Sequence, residues 1–396
     1  MTAVLAFAVT LLLAVLISDF AHRSVLSTAV LFLLAGFLAG ESMLGVLSLQ
    51  ADNPVISIFA ELALFSVLFT DGMRIGFRDL TTAWKLPGRA LFLGLPLTLL
   101  ITALLAYIVT DLSWLEALLF GAILSPTDPV FAAAIVGREE VPNRLRHLLN
   151  VESGLNDGLA LPIVLIMLAT LGKAEVGFHT FLELVLGVVV GIAVPWIAIR
   201  LEETRFFATT SEYEPLHAFA IGLLVFSITA LIHANEFLAA FAAGITTATT
   251  NRNLRKEFQK FGELVTELLK LAGLLVFGAL ISPQFLREIS WNGYVLALLV
   301  LLFARPLALG VALLGSHLPF KERVTVAWFG PKGFASVFFG LLILKAGVER
   351  GDHLFHLVAI VIAGSIIAHS STDVLVARWF HQREPEPQHA PDEHSS

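Results

Sequence analysis

Thirteen apolar runs make up most of this chain, at roughly 4–17, 25–40, 54–70, 89–109, 114–136, 145–170, 178–199, 214–232, 235–250, 262–281, 291–315, 323–345 and 354–380. They are too long and unbroken for barrel strands, which alternate over about ten residues. Runs near 20 residues suit helices that cross the hydrocarbon layer. Charged residues make up 14% of the chain, well below the roughly 25% of a soluble domain. The expected fold class is therefore an all-α integral membrane protein with 13 transmembrane helices. No cysteine is present, which excludes disulfides, thiolate catalysis and Cys-ligated metals. Met1 to Ile17 has no basic start and no small-residue cleavage site, so it reads as a retained first helix.

Basic residues test the count. Of 25 lysines and arginines, 18 fall in connections after odd-numbered runs or in the C-terminal tail, and 4 fall after even-numbered runs. The other three, Lys270, Arg305 and Lys332, lie inside runs. Positive charge marks the cytoplasmic side, which predicts an inner-membrane protein with its N-terminus outside and its C-terminus cytoplasmic. Asn251–Lys260 is too charged to span and reads as an interfacial linker helix. The Pro-, Glu- and His-rich segment 381–396 reads as a disordered cytoplasmic tail, with no room after it for a nucleotide-binding regulatory domain.

Between Leu124 and Asp157 the fifth and sixth runs carry Thr127, Asp128, Glu152, Ser153, Asn156 and Asp157. Ionisable groups at membrane depth are costly, and their default reading is functional. Pro126 and Pro129 each remove a backbone donor and clash one turn back, which breaks the helix at Thr127-Asp128. The twelfth run is interrupted in the same way by Gly330-Pro331-Lys332-Gly333. With runs 1–6 and 8–13 taken as halves, the breaks fall at the fifth place of each, in opposite orientation. The halves then form inverted six-helix repeats whose broken helices, 5 and 12, cross. That pattern points to the midplane site of a secondary transporter. One kink alone would not separate this from an ordinary bent membrane helix.

Ser153, Asn156 and Asp157 share a helix face at i, i+3 and i+4. Glu152 lies five residues before Asp157, about 140° round the helix, and needs a partner of its own. Arg305 in the eleventh run is the available cation, which predicts a buried structural Glu152–Arg305 pair. The alternative for Arg305 is snorkelling to the cytoplasmic face. Asp157 then has hard oxygen neighbours, a set that suits a small hard cation. A carboxylate that holds either a proton or a cation, but not both, is by itself an exchanger. Since one acid changes by one charge, 1:1 electroneutral exchange is expected.

Thr127-Asp128-Pro129, the run Glu152-Ser153-Gly154-Leu155-Asn156-Asp157-Gly158 and Gly330-Pro331-Lys332-Gly333 together resemble the monovalent cation/proton antiporter superfamily. Within it they are similar to the NhaP and eukaryotic NHE-like branch with an Asn-Asp pair. The resemblance implies exchange of Na+ (or Li+) for H+ by elevator-type alternating access, a homodimer, and no cofactor beyond the transported ions. It also implies that Asp157 binds ion and proton, with Asp128, Ser153 and Thr127 completing the Na+ ligands. Asn156 would hold the crossed helices, while Glu152 with Arg305 forms the family's buried pair. Asp71 resembles an acid on the third helix that is more usually Glu, and Lys332 stands where Arg is frequent, with a helix-break or gating role. The core is expected in helices 4–6 (89–170) and 11–13 (291–380). Helices 1–3 (4–70) and 7–10 (178–281) form the scaffold and dimerisation part, so the transmembrane antiporter domain spans 1–380.

The remaining charges have plainer readings. Glu61 and Glu183 are lone acids in apolar runs, Glu267–Lys270 an i, i+3 pair on one face. His233, His369 and Asp373 are candidate pH sensors. K+/H+ exchange is the first alternative function, and a cation channel or uniporter the second. An intramembrane enzyme, such as a protease or acyltransferase, using His369, Ser370, Ser371 and Asp373 is the third. The expected reading is a transporter and not an enzyme, with a lipid bilayer and a monovalent cation as partners and no nucleic acid.

Overall fold

Side-chain caps mark several of the helix starts. Ser113 caps one start through a reciprocal pair: its own amide donates to Glu116 Oε2 (2.7 Å), and the Glu116 amide donates to Ser113 Oγ (3.3 Å). Asn235 and Asn251 cap two others by accepting the Leu238 and Leu254 amides.

The computed structural model describes residues 2–18, 27–47, 54–75, 84–128, 141–172, 178–204, 206–207, 209–210 and 212–381. Its helices are α1 (Thr2–Leu16), α2 (Thr28–Ala39), α3 (Pro54–Arg74), α4 (Lys85–Val109), α5 (Trp114–Leu124), α6 (Asn143–Leu171), α7 (Phe178–Glu202) and α8 (Glu214–Leu231). They continue as α9 (Glu236–Thr250), α10 (Arg252–Leu280), α11 (Pro283–Glu288), α12 (Trp291–Ala312), α13 (Phe320–Trp328), α14 (Phe334–Lys345) and α15 (Gly351–His381). No strand occurs among the described residues beyond one isolated bridge between Gly40 and Leu47. Six of these helices have the length and hydropathy to cross a membrane, namely α4, α6, α7, α8, α12 and the Gly351–His369 part of α15. Shorter apolar helices, α1, α2, α5 and α14, accompany them. The chain is a multi-pass integral membrane protein.

One expectation meets a different structure. The polar stretch 251–260 is not a separate linker: it forms the first turns of α10, one continuous helix of 29 residues. At about 1.5 Å per residue such a helix exceeds a hydrocarbon layer of about 30 Å, so charged turns can project from it. The twelfth run is two helices, α13 and α14, parted by the non-helical segment Phe329–Gly333. The segments 129–140 and 382–396, which hold Pro129 and almost all of the expected tail, lie outside the described residues.

Small residues set the closest crossings. A Cβ on Gly36 of α2 would sit 2.1 Å from the Leu275 carbonyl oxygen of α10, and one on Gly244 of α9 would sit 2.2 Å from that of Phe69 on α3. Backbones this near require glycine, as in other membrane helix pairs. Both α4 and α12 contain a π-turn, Ala90–Gly94 and Val300–Ala304. Each precedes a proline by two residues, Pro96 and Pro306. A wider turn accommodates the carbonyl that a proline ring would otherwise strike four residues back. Arg305 directly follows the second of these turns.

Candidate ion-binding site

The break in the fifth run leaves α5 with helical carbonyls that lack intrahelical donors. Ser336 of α14 donates its Oγ to the Ile123 carbonyl (2.8 Å), and Ser125 donates to that of Ala122 (3.1 Å). Beyond Leu124 the chain leaves the helix, and Pro126-Thr127-Asp128 meets the second break, where the Asp128 amide donates to the Pro331 carbonyl (3.0 Å). The Phe334 amide, at the start of α14, donates to Asp128 Oδ2 (3.4 Å). A carboxylate at a helix N-terminus suits the partial positive charge there.

Gly333 is required by this crossing. A Cβ there would lie 2.2 Å from Asp128 Cβ, and one on Gly330 would lie 2.1 Å from Arg305 Cδ. Gly333→Ala must push the two broken segments apart. The expected cost is about 1–3 kcal/mol, seen as a lower unfolding temperature together with slower transport. An unchanged unfolding temperature would contradict the contact.

A second network closes the other break. The Lys332 amide donates to Ser365 Oγ (2.9 Å), Ser365 Oγ lies 3.1 Å from His369 Nδ1, and His369 Nε2 lies 3.0 Å from the Trp328 carbonyl at the end of α13. His369 Nδ1 also lies 2.8 Å from the Ser365 carbonyl, so each ring nitrogen faces a backbone oxygen. His369 thus ties the two sides of the break and is buried.

On α6 the expected polar face is present. Asn156 Nδ2 donates to Thr127 Oγ1 (2.8 Å), and Thr127 Oγ1 lies 3.2 Å from Ser153 Oγ. Asn156 therefore holds α6 to the first break through Thr127. Asp157 is 2% exposed, and its Oδ2 has no hydrogen-bond partner; neither has Asn156 Oδ1. Buried oxygens are nearly always satisfied, so two unpartnered ones on adjacent residues need an explanation. A cation or a proton supplies one. The oxygen chemistry of Asp157, Asn156, Ser153 and Thr127 fits a hard monovalent cation.

Glu152 turns away from this face. Arg305 Nη1 donates to Glu152 Oε1 (2.6 Å) and Nη2 to Oε2 (3.0 Å), a buried two-pronged pair. It is formed as the helix geometry predicts, and Arg305 does not reach for an interface.

Asp128 is brought to the crossing, yet its carboxylate is not open in the way that of Asp157 is. Lys270 Nζ of α10 lies 3.2 Å from Asp128 Oδ2 and 3.5 Å from Oδ1, both groups buried. Lys270 was expected to pair with Glu267 along its own helix; it reaches across to the broken segment instead. Asp71 on α3 is buried and meets Arg74 Nη1 at 3.4 Å; Arg74 Nε in turn donates to Glu263 (3.1 Å). The Asp71 backbone lies against α6: a Cβ on Gly154 would sit 3.7 Å from the Asp71 carbonyl oxygen. Lys332 is buried. Glu61, a lone acid in sequence, pairs with Lys345.

Sequence reasoning missed Lys270, Ser336, Ser365 and the bridging part of His369. Lys270 carried the one usable signal, a lysine inside an apolar run.

Residues 8–378 match the family described as sodium/hydrogen exchanger, transmembrane. The chain belongs to that family. Its fold is similar to that of the sodium proton antiporter MjNhaP1 from Methanocaldococcus jannaschii, with a TM-score of 0.79 at 20% identity, covering 97% of this chain and all of that one. In sequence it is 26% identical to the K(+)/H(+) antiporter NhaP of Alkalimonas amylolytica over 355 residues, 88% of this chain and 62% of that protein. The K(+)/H(+) antiporter NhaP2 of Shewanella sp. MR-4 is 27% identical over 380 residues, 92% of this chain and 64% of that protein. The chain thus spans a little under two thirds of the length of these curated relatives.

Proposed function

We propose that this membrane protein exchanges a monovalent cation, Na+ or Li+, for H+, one for one, with the two competing for Asp157. The observation that carries this reading is the unpartnered Oδ2 of Asp157, 2% exposed beside the unpartnered Oδ1 of Asn156 and the hydroxyls of Ser153 and Thr127. With Glu152 matched by Arg305 and Asp128 facing Lys270, Asp157 is the acid that must take up mobile charge. Asn156 beside it is neutral, so one site charge changes per half-cycle and the exchange is electroneutral. A membrane current that scales with transport would refute this stoichiometry.

Family membership supports cation/proton antiport. The relatives named as K(+)/H(+) antiporters favour K+ as a second reading of the cation. Proton flux in proteoliposomes against Na+, Li+ and K+ separates the two. Thirteen crossings with the N-terminus outside, a core of residues 89–170 and 291–380 moving against a scaffold of 4–70 and 178–281, a homodimer and the cell membrane complete the reading. The 18-to-4 bias of basic residues supports the orientation.

Competition fixes the sign of the pH dependence. A protonated Asp157 cannot bind the cation, so apparent KM rises as pH falls through the range in which Asp157 gains its proton, and it is flat above that range. An apparent KM that is constant throughout would contradict a shared site.

A further inference from the structure

The Lys270–Asp128 pair joins two different parts of the molecule. Asp128 sits on the broken segment that crosses Pro331 and caps α14, beside the ion-binding face of α6. Lys270 sits on α10, which packs chiefly against α2, α3 and α8. On that side its charged neighbours are Asp71 and Arg74 of α3 and Glu267 of its own helix. These are the helices assigned to the scaffold in the exchange reading, on which the present inference rests.

We propose that Lys270 is a tethered counter-cation that anchors the unloaded ion-binding segment to α10 and so prevents an empty stroke. A lysine ammonium is a compact point charge, the nearest a side chain comes to an alkali cation. With neither cation nor proton aboard, Asp128 and Asp157 present two negative charges to it. With either aboard they present one, and the Coulomb pull falls accordingly. Moving the segment away from α10 strips a buried carboxylate of its counter-charge, which is costly. The cost is greatest for the empty segment and smaller for the loaded one. Retaining the empty carrier while releasing the loaded one is what separates exchange from one-way leak, so Lys270 enforces coupling without binding the ion itself.

Proteoliposomes loaded with Na+ test this, with H+ taken up per Na+ released as the readout. Wild type should keep a fixed ratio and ignore an imposed membrane potential. In Lys270→Met the ratio should fall and Na+ efflux should follow the potential. At high external pH, where protons are scarce, its efflux should exceed that of wild type by on the order of tenfold, the factor given by about 1.4 kcal/mol of lost anchoring. Lys270→Arg should behave as wild type. If Lys270→Met is not recovered folded, Lys270→Gln provides the same test, since it keeps a donor to Asp128 without the charge. A neutral variant with the wild-type ratio and no response to potential overturns the anchor and leaves antiport standing. A wild type that moves Na+ without H+ overturns the exchange reading itself.

Discussion

Asp157→Asn is expected to abolish cation-coupled proton flux while leaving the protein folded. Asn has nearly the shape of Asp, so the face shared with Ser153 and Asn156 is preserved. What disappears is a titratable charge at a site that is 2% exposed. At an effective dielectric of about 20, a unit charge at 4 Å is worth about 4 kcal/mol, on the order of a thousandfold in affinity. The proton side of the cycle is lost as well, since an amide cannot carry it. Removing a buried acid also removes its desolvation cost, so the unfolding temperature should hold or rise. Flux that survives in Asp157→Asn would move the ion site elsewhere. Flux lost together with the fold would leave the result to Asp157→Glu, which keeps the charge and should retain exchange at reduced affinity.

Arg305→Met should be strongly destabilising. It leaves Glu152 at 3% exposure with two oxygens that had accepted bonds of 2.6 and 3.0 Å. Breaking a buried pair from one side costs about 3–5 kcal/mol, whereas replacing both partners by apolar groups can be neutral. The double variant Glu152→Leu with Arg305→Met should therefore recover most of the unfolding temperature lost in the single one. Arg305→Lys should fall between them, because it keeps the charge and loses the two-pronged fork. Equal losses in the single and double variants would show that Arg305 matters for packing against Gly330 rather than for Glu152.

Much of this arrangement was legible in the sequence because membrane burial makes each charge informative. Asp157, Glu152 and Arg305 stand out in apolar runs, and the five-residue offset between the two acids already sends them to different faces of α6. The prolines near Asp128 and the Gly-Pro-Lys-Gly stretch marked where the helices stop. Lys270 was misread for a physical reason: i, i+3 spacing always offers a lysine a partner on its own helix, and nothing local says that a partner across the bundle is nearer. Ser336, Ser365 and His369 are short polar groups whose importance lies in which orphaned carbonyl or amide they meet, and that is fixed only when the two breaks cross. The polar start of α10 was read as a separate segment because charge density was weighed against the thickness of the hydrocarbon. The 29-residue length of the helix lets those turns lie outside it.

The central claim is that one carboxyl holds either the cation or the proton. Calorimetric titration of the purified protein with Na+, Li+ or K+, in buffers of different ionisation enthalpy, measures the protons released per cation bound. Ligands that must lose a proton to bind a metal release it in step with binding. In wild type, release should be close to one proton per cation at a pH low enough for Asp157 to start protonated, and should fall to none at high pH. Asp157→Asn should bind no cation and release no proton. Cation binding without proton release in wild type at any pH, or undiminished release in Asp157→Asn, would contradict the account.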